Sequence, residues 1–235
     1  MKSLNFTSIG LISSCFKEKF GIPRQPGLVT AAKAQLKLDK VFTEESVREL
    51  DGFSHVWLQF AFHKTESQGW KPMVRPPRLG GNTKVGVFAS RSTFRPNPIG
   101  LSVVELESIE IESSRVVLHL KGCDLMDGTP ILDIKPYLPY VDAIPEAEAG
   151  YAKERPLNKM TVLMSDEIIQ ACHYASHRLG EDVEVLIRQL LELDPRPSYH
   201  ENNTNKQRIY SMKLLDFDLR WQYCENNAIK VLSIN

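Results

Sequence analysis

The 235-residue sequence predicts a mainly β fold, α+β overall, in two parts. Three observations carry this. Residues 1–142 hold many short apolar runs, the clearest alternating with period two, separated by Gly and Pro turns; such a pattern reads as a sandwich or barrel. Residues 143–159, rich in Ala, Pro and Glu, read as a linker. Residues 160–235 turn to helical stripes and then to a β-meander, a small α+β domain.

The elements follow in order. Residues 6–13 are a β-like run. Residues 17–27 form a loop punctuated by Gly21, Pro23, Pro26 and Gly27. Residues 34–40 fit a second strand, and 43–50 a short helix with Thr43 as N-cap and Glu44 and Glu45 in its first turn. Residues 53–63 are the clearest strand. Val56, Leu58, Phe60 and Phe62 share one face; His55, Trp57, Gln59, Ala61 and His63 share the other. A polar face opposite an apolar one suits a wall between a core and a cleft. Residues 64–83 make a long basic loop, a length that in a compact domain points to function or disorder. Strands are expected at 84–90, 99–112, 115–120 and 131–134. Beyond the linker come a strand at 160–164 and a helix capped by Ser165 with Ile168, Cys172, Ala175 and Leu179 on one stripe. A second helix buries Val183, Leu186, Ile187, Leu190 and Leu191, and Asp194-Pro195-Arg196-Pro197 stops it. Phe217, Leu219, Trp221 and Tyr223 alternate in a strand, Glu225-Asn226-Asn227 turns, and 229–234 returns.

Composition excludes several classes. At 42% hydrophobic and 25% charged the chain is not a disordered one. No run of about 18 apolar residues occurs, so no membrane span is expected. Met1-Lys2-Ser3-Leu4-Asn5 lacks the apolar core of a secretory signal, and a cytoplasmic location follows as the expectation. Cys15, Cys123, Cys172 and Cys224 are too scattered for a CxxC pair or zinc ribbon and read as reduced packing or surface thiols. The net charge is zero, but it is unevenly spread. Residues 64–100 hold Lys64, Lys71, Arg75, Arg78, Lys84, Arg91 and Arg95 against Glu66 alone, a balance of +6. Residues 101–150 hold three basic and ten acidic groups. A basic segment of this kind attracts polyanions through its local field.

The common catalytic templates are missing. There is no GxGxxG fingerprint, no GxSxG elbow and no HExxH; Gly80-Gly81-Asn82-Thr83-Lys84 has the composition of a phosphate loop without its spacing. His173 and His177, four apart on a helix, read as surface histidines, with a shared metal as the alternative; no metal is assigned. Arg75 to Leu101 is the densest stretch. Its prolines fix the backbone, its glycines allow close approach, and its arginines offer forked donors and flat stacking surfaces. That chemistry suits an anionic or nucleic-acid partner; an exposed loop shaped by its prolines is the plainer alternative. Asp124 and Asp127, three apart beside Gly128-Thr129-Pro130, could hold a ribose, accept a proton or cap a turn.

At this point a resemblance can be stated. Pro23-Arg24-Gln25-Pro26-Gly27, Asp51-Gly52-Phe53-Ser54-His55, Arg75-Pro76-Pro77-Arg78-Leu79-Gly80-Gly81-Asn82, Arg91-Ser92-Thr93-Phe94-Arg95-Pro96-Asn97-Pro98-Ile99-Gly100 and the stretch from Asp127-Gly128-Thr129-Pro130 through Asp133-Ile134-Lys135-Pro136-Tyr137 resemble the TsaA-like family. The likeness is to its bacterial members that use S-adenosylmethionine to methylate N6 of threonylcarbamoyladenosine at tRNA position 37, beside the anticodon. It spans residues 4–142, and Asp194-Pro195-Arg196-Pro197 extends it into the C-terminal part. The resemblance implies a closed antiparallel β-barrel and a homodimer with the cofactor near the subunit interface. It implies a cofactor site of Gln25, Pro26, Gly27, His63, Lys64, Arg91, Leu101, Lys121, Gly122, Cys123 and Asp124, with Lys121 standing where a glycine is expected. Removal of the N6 proton calls for a base, with Asp127 as first candidate and Asp124 as second; water is the alternative acceptor. Loop bases are read by stacking and edge contacts, for which Arg91, Phe94, Arg95 and Tyr137 are candidates. Arg75, Arg78 and Lys84 are candidates for phosphate contacts, and Arg196, Lys206, Arg208 and Arg220 for an extended tRNA footprint. Two rivals remain open at this stage: an RNA-binding barrel that holds a metabolite without turnover, and a methyltransferase for a small molecule.

Overall fold

The structure is a computed structural model that describes residues 4–156, 160–196 and 208–235. Its strands in the first part are β1 (Gly10–Ser14), β2 (Lys33–Leu38), β3 (His55–Ala61), β4 (Met73–Val74), β5 (Val85–Gly86), β6 (Ile99–Glu112), β7 (Arg115–Lys121) and β8 (Pro130–Pro136). Six of them close into an antiparallel barrel in the order β1-β2-β7-β6-β3-β8, sealed where Gly10 of β1 pairs with Ile131 of β8. The period-two reading of β3 holds: Val56, Leu58 and Phe60 point into the barrel core with Leu36, Val104, Leu118, Leu120 and Ile131. In β6 the inward positions are Gly100, Ser102, Val104 and Leu106. Gly100 lies opposite Phe60, and a Cβ there would run into the Phe60 ring. Closure leaves the barrel no unpaired edge.

Several local expectations are corrected. The expected helix at 43–50 is two 3₁₀ turns, Glu44–Val47 and Leu50–Gly52, with Glu49 between them at φ 65 and no side-chain cap from Thr43. Only Val47 of the first turn is buried, so no apolar stripe exists to hold an α-helix. The expected strand at 84–90 supplies only β5, which pairs with β4 in a two-residue ribbon. It then bends into a 3₁₀ turn, Val87–Ala89, where the Arg95 guanidinium donates to the Val87 and Ser90 carbonyls. The long loop 64–83 therefore has structure of its own. The first strand begins at Gly10, and Phe6 before it is exposed.

A four-residue helix, α1 (Pro139–Asp142), ends the barrel. The second part contains β9 (Thr161–Leu163), α2 (Asp166–Leu179), α3 (Val183–Glu192), β10 (Ile209–Leu214), β11 (Phe217–Tyr223) and β12 (Ala228–Ile234). Its sheet runs β10-β11-β12-β9, with β9 parallel to β12. β10 has no counterpart in the sequence reading. Ser165 does not cap α2 with its side chain; Asp182 caps α3, accepting the Val185 N–H at 3.1 Å. The α3 stripe shares one core with Leu219, Trp221, Ile229 and Val231. The same core takes in Cys15, Phe16, Val29 and Ala32 from the N-terminal segment. Phe16 bridges to Leu214, the Leu215 N–H donates to the Cys15 carbonyl at 2.7 Å, and Phe20 stacks on Trp221. No helix among the described residues is long and apolar enough to cross a membrane.

Candidate active site

A cavity of about 560 Å³ opens at the barrel end where β3 finishes and β6 begins. Three segments meet there. The loop after β1 brings Lys19, Ile22, Pro23, Arg24 and Gln25; the end of β3 brings Phe60 to Thr65; the chain entering β6 brings Ser90, Arg91, Thr93, Arg95 and Ile99 to Ser102. The turn before β8 closes it with Asp124, Leu125, Met126 and Thr129.

Asp124 is the cavity's only acidic side chain among the described residues. Its Oδ1 accepts the Ser102 hydroxyl at 2.7 Å. Burial raises its pKa from 3.8 to about 6, against the pull of the Ser102 hydrogen bond and the Arg91 charge. His63 is held below its ordinary value, first by burial and then by Lys64 beside it, so it stands neutral. Arg91 donates to Gln25 Oε1 at 2.5 Å, joining two walls, and Lys19 donates to the Lys64 carbonyl at 3.1 Å. Leu101 is 50% exposed at the mouth. The rim is cationic and the interior mostly apolar, with one carboxylate at its floor.

Six residues of the expected cofactor set line this one cavity: Gln25, His63, Lys64, Arg91, Leu101 and Asp124. The other five form the seam behind it. The Gly27 N–H donates to the Gly122 carbonyl at 2.9 Å, and Gly122, at φ +67, leaves only 3.3 Å between a built Cβ and the Gly27 Cα. Pro26 precedes this contact. The Cys123 N–H donates to the Ala32 carbonyl at 3.2 Å, and burial pushes the Cys123 thiol up to about 12. Lys121 pairs with Glu107 at 3.4 Å. Asp127 does not line the cavity: its carboxylate accepts the Ser14 N–H at 3.0 Å and pairs with Lys17 at 3.0 Å.

The residues expected to touch tRNA divide similarly. Arg75 and Lys84 are exposed on the β4–β5 ribbon and its loop. Arg78 donates to the Glu154 carbonyl at 2.6 Å, Phe94 lies under Lys71 at 4.3 Å, and Arg95 is the staple already described. Tyr137 packs on His55 and Trp57, at the other end of β3 from the cavity. Arg196 is engaged with Asp194, Arg208 lies over Tyr210, and Arg220 is exposed on β11. Pro197 and Lys206 fall outside the described residues. His173 pairs with Glu184 at 3.5 Å.

Sequence reasoning missed Ser102, Phe60, Ile99, Met126 and Lys19 as lining residues. Ser102 had a signal: it is the one hydroxyl on the inward face of β6, where its neighbours in register are Gly100 and Val104.

A barrel-end cavity of this volume, apolar within and cationic at its rim, defines a β-barrel protein built for a compact ligand beside a polyanion. Comparison with known proteins is more specific. Residues 11–143 match the tRNA-methyltransferase O N-terminal domain, and residues 157–235 match the TrmO C-terminal domain. The chain is 46% identical to the tRNA (adenine(37)-N6)-methyltransferase of Escherichia coli K12, over 94% of each chain. A Mus musculus protein of the same name is 46% identical over 138 residues, 57% of this chain and 31% of its own. A protein of Pseudomonas aeruginosa, provisionally named an S-adenosylmethionine-dependent methyltransferase, is 45% identical over 96% of this chain and 95% of its own. The crystal structure of TrmO from Pseudomonas aeruginosa superposes with a TM-score of 0.81 at 40% identity, covering all of both chains. The chain belongs to the TrmO family of S-adenosylmethionine-dependent tRNA methyltransferases.

Proposed function

We propose that the barrel-end cavity binds S-adenosylmethionine and that the protein methylates N6 of adenosine 37 in tRNA, with that base already threonylcarbamoylated. The observation that carries this is the cavity floored by Asp124 lying against the basic segment 64–100. The residues suit the cofactor. Phe60, Ile99 and Leu101 offer apolar surface to a purine. The Asp124 carboxylate keeps acceptor positions for a hydroxyl or ammonium beyond the one Ser102 fills. Arg91, Lys64 and Lys19 match a carboxylate.

Bound there, S-adenosylmethionine supplies a methyl group on a sulfonium. The chain's part is to orient the nucleophile in line and to manage its proton. N6 of a carbamoylated adenosine is amide-like and a poor nucleophile while protonated, so a base at the site speeds the step. Asp124 is the acceptor this reading favours over Asp127. Its raised pKa makes it a stronger base than an ordinary carboxylate, whereas the Asp127 carboxylate is occupied by Ser14 and Lys17 outside the cavity. His63, neutral in the same cavity, is a second acceptor.

The reading includes a homodimer working in the cytoplasm, with the cavity near the subunit boundary. Ile99 and Leu101 at the mouth, and Phe88, 76% exposed beside Arg95, supply apolar surface for such a contact. One preparation tests the dimer and the activity. Purified protein is weighed by light scattering and incubated with S-adenosylmethionine and tRNA from cells lacking it; the digested nucleosides are then read by mass spectrometry. The expected results are a two-chain particle and a cofactor-dependent gain of one methyl on threonylcarbamoyladenosine. A single-chain particle removes the dimer. Bound cofactor with no methyl gained removes the substrate assignment and favours a binding role.

A further inference from the structure

One wall of the cavity comes from the loop 17–27, which has no strand ladder of its own. Lys19, Gln25 and Gly27 tie it to the barrel side, and the second part of the chain holds its other side. The Lys213 N–H donates to Glu18 Oε1 at 3.3 Å, and Phe20 stacks on Trp221 with ring centroids 5.8 Å apart. Gly21, at φ +87, abuts the Met212 sulfur with no room for a Cβ. Arg24, a lining residue, donates to the Arg196 carbonyl at 3.4 Å. Beyond the loop, the Ala31 N–H donates to Gln189 Oε1 at 3.0 Å.

Arg196 is itself locked. Its Nε and Nη2 fork onto Asp194 at 2.9 and 2.7 Å, and its guanidinium lies 3.8 Å over the Tyr223 ring. The Tyr223 hydroxyl donates to Asp194 Oδ1 at 3.0 Å. Burial opposes ionisation of Asp194, but the Arg196 fork and charge hold its pKa below the usual range, so the pair is ionised. The Arg196 side chain is 16% exposed, and its charge is already neutralised. A buried pair of this kind is weak as a source of stability but fixes geometry when every group is satisfied. A phosphate contact would need the guanidinium free; a fixed carbonyl needs it where it is.

We propose that Asp194, Arg196 and Tyr223 are positioning residues of the cofactor site: they fix the Arg196 carbonyl, which holds Arg24 and with it the loop that walls the cavity. This rests on the reading of the cavity as the S-adenosylmethionine site. The test uses the full chain and separates the two claims. Leu101→Trp fills the cavity mouth. Tyr223→Phe removes one hydrogen bond to Asp194 and keeps the ring. The double variant Asp194→Asn with Arg196→Met removes the ion pair without stranding a charge. Cofactor affinity is measured by calorimetry without tRNA, and tRNA affinity across a salt series.

Leu101→Trp is expected to abolish cofactor binding. Tyr223→Phe is expected to weaken it about threefold, since only the share of the lost hydrogen bond that loosens the loop reaches the cofactor. The double variant weakens it further. In both, KM for the cofactor rises while kcat at saturating cofactor and the salt slope for tRNA stay unchanged. Cofactor affinity within about twofold of the parent in both Tyr223→Phe and the double variant overturns the proposal. The same holds if the salt slope alone falls, which makes Arg196 a phosphate contact instead. Should the double variant fail to fold, Tyr223→Phe decides by the same criterion. Cofactor binding that survives Leu101→Trp overturns the cavity reading and this inference together.

Discussion

At the scale of single residues, Asp124 has the most consequence. Its pKa in the folded chain is about 6 and its ordinary value is 3.8, so between those values the folded chain holds a proton that the unfolded chain releases. Stability from this group is therefore fullest below about pH 4 and is lost as pH rises through about 6. Asp124→Asn should raise the melting temperature at pH 7.5, with the gain shrinking toward pH 5. It should lower kcat by roughly 10²–10⁴-fold, the usual range for a lost general base. The parent's kcat/KM should rise with an acid limb near pH 6, and the variant's should not. Methylation at parental rate with the same limb would end the assignment of Asp124 as acceptor. Little of this was legible in the sequence. The two aspartates were visible three apart, but which one faces a cavity depends on Ser102, 22 residues earlier, and on Ser14, 113 residues away from Asp127. Such pairings are made only when the barrel closes.

At the scale of elements, period-two alternation located β3, which carries one buried face that fixes its register. The capped helix expected at 43–50 and the strand expected at 84–90 both failed, because few side chains are buried there and local turns decide the backbone. The charge count succeeded in a different way. It marked 64–100 as basic without saying which cations are committed to the fold. The structure sorts them: Arg95 staples its own loop and Arg78 holds the Glu154 carbonyl, while Arg75 and Lys84 stand exposed on the ribbon. The exposed pair are the better candidates for phosphate. Replacing both by Ala should flatten the dependence of log affinity for tRNA on log salt by about 1.4, at about 0.7 per contact to a single-stranded loop. Cofactor affinity measured by calorimetry should not move. An unchanged slope would take both residues out of the tRNA footprint.

At the scale of the whole molecule, the chain has two cores, and the second takes in residues from the N-terminal segment. Sequence texture divided it near residue 142, because composition along a chain cannot reveal a segment that crosses over. The second core contains Phe16 and Val29, each no more than 2% exposed, with Cys15 and Ala32 beside them. These residues flank the loop that walls the cavity, so the second part of the chain bears on the chemistry through packing as well as through any contact with RNA. A chain ending at residue 156 would expose them. Phe16 and Val29 together would forfeit about 3–6 kcal/mol of apolar burial, a large share of the roughly 5–15 kcal/mol that holds a domain together. The barrel's own core, built on Leu36, Leu58, Leu118, Leu120 and Ile131, would survive the cut. The fragment should thus keep strand content by circular dichroism, melt at a much lower temperature than the full chain, and bind S-adenosylmethionine at least about tenfold more weakly because its loop is loosened. A melting temperature within about 3 °C of the full chain, roughly 1 kcal/mol, with cofactor affinity retained, would show that the barrel organises its loop alone and that the second part serves RNA only.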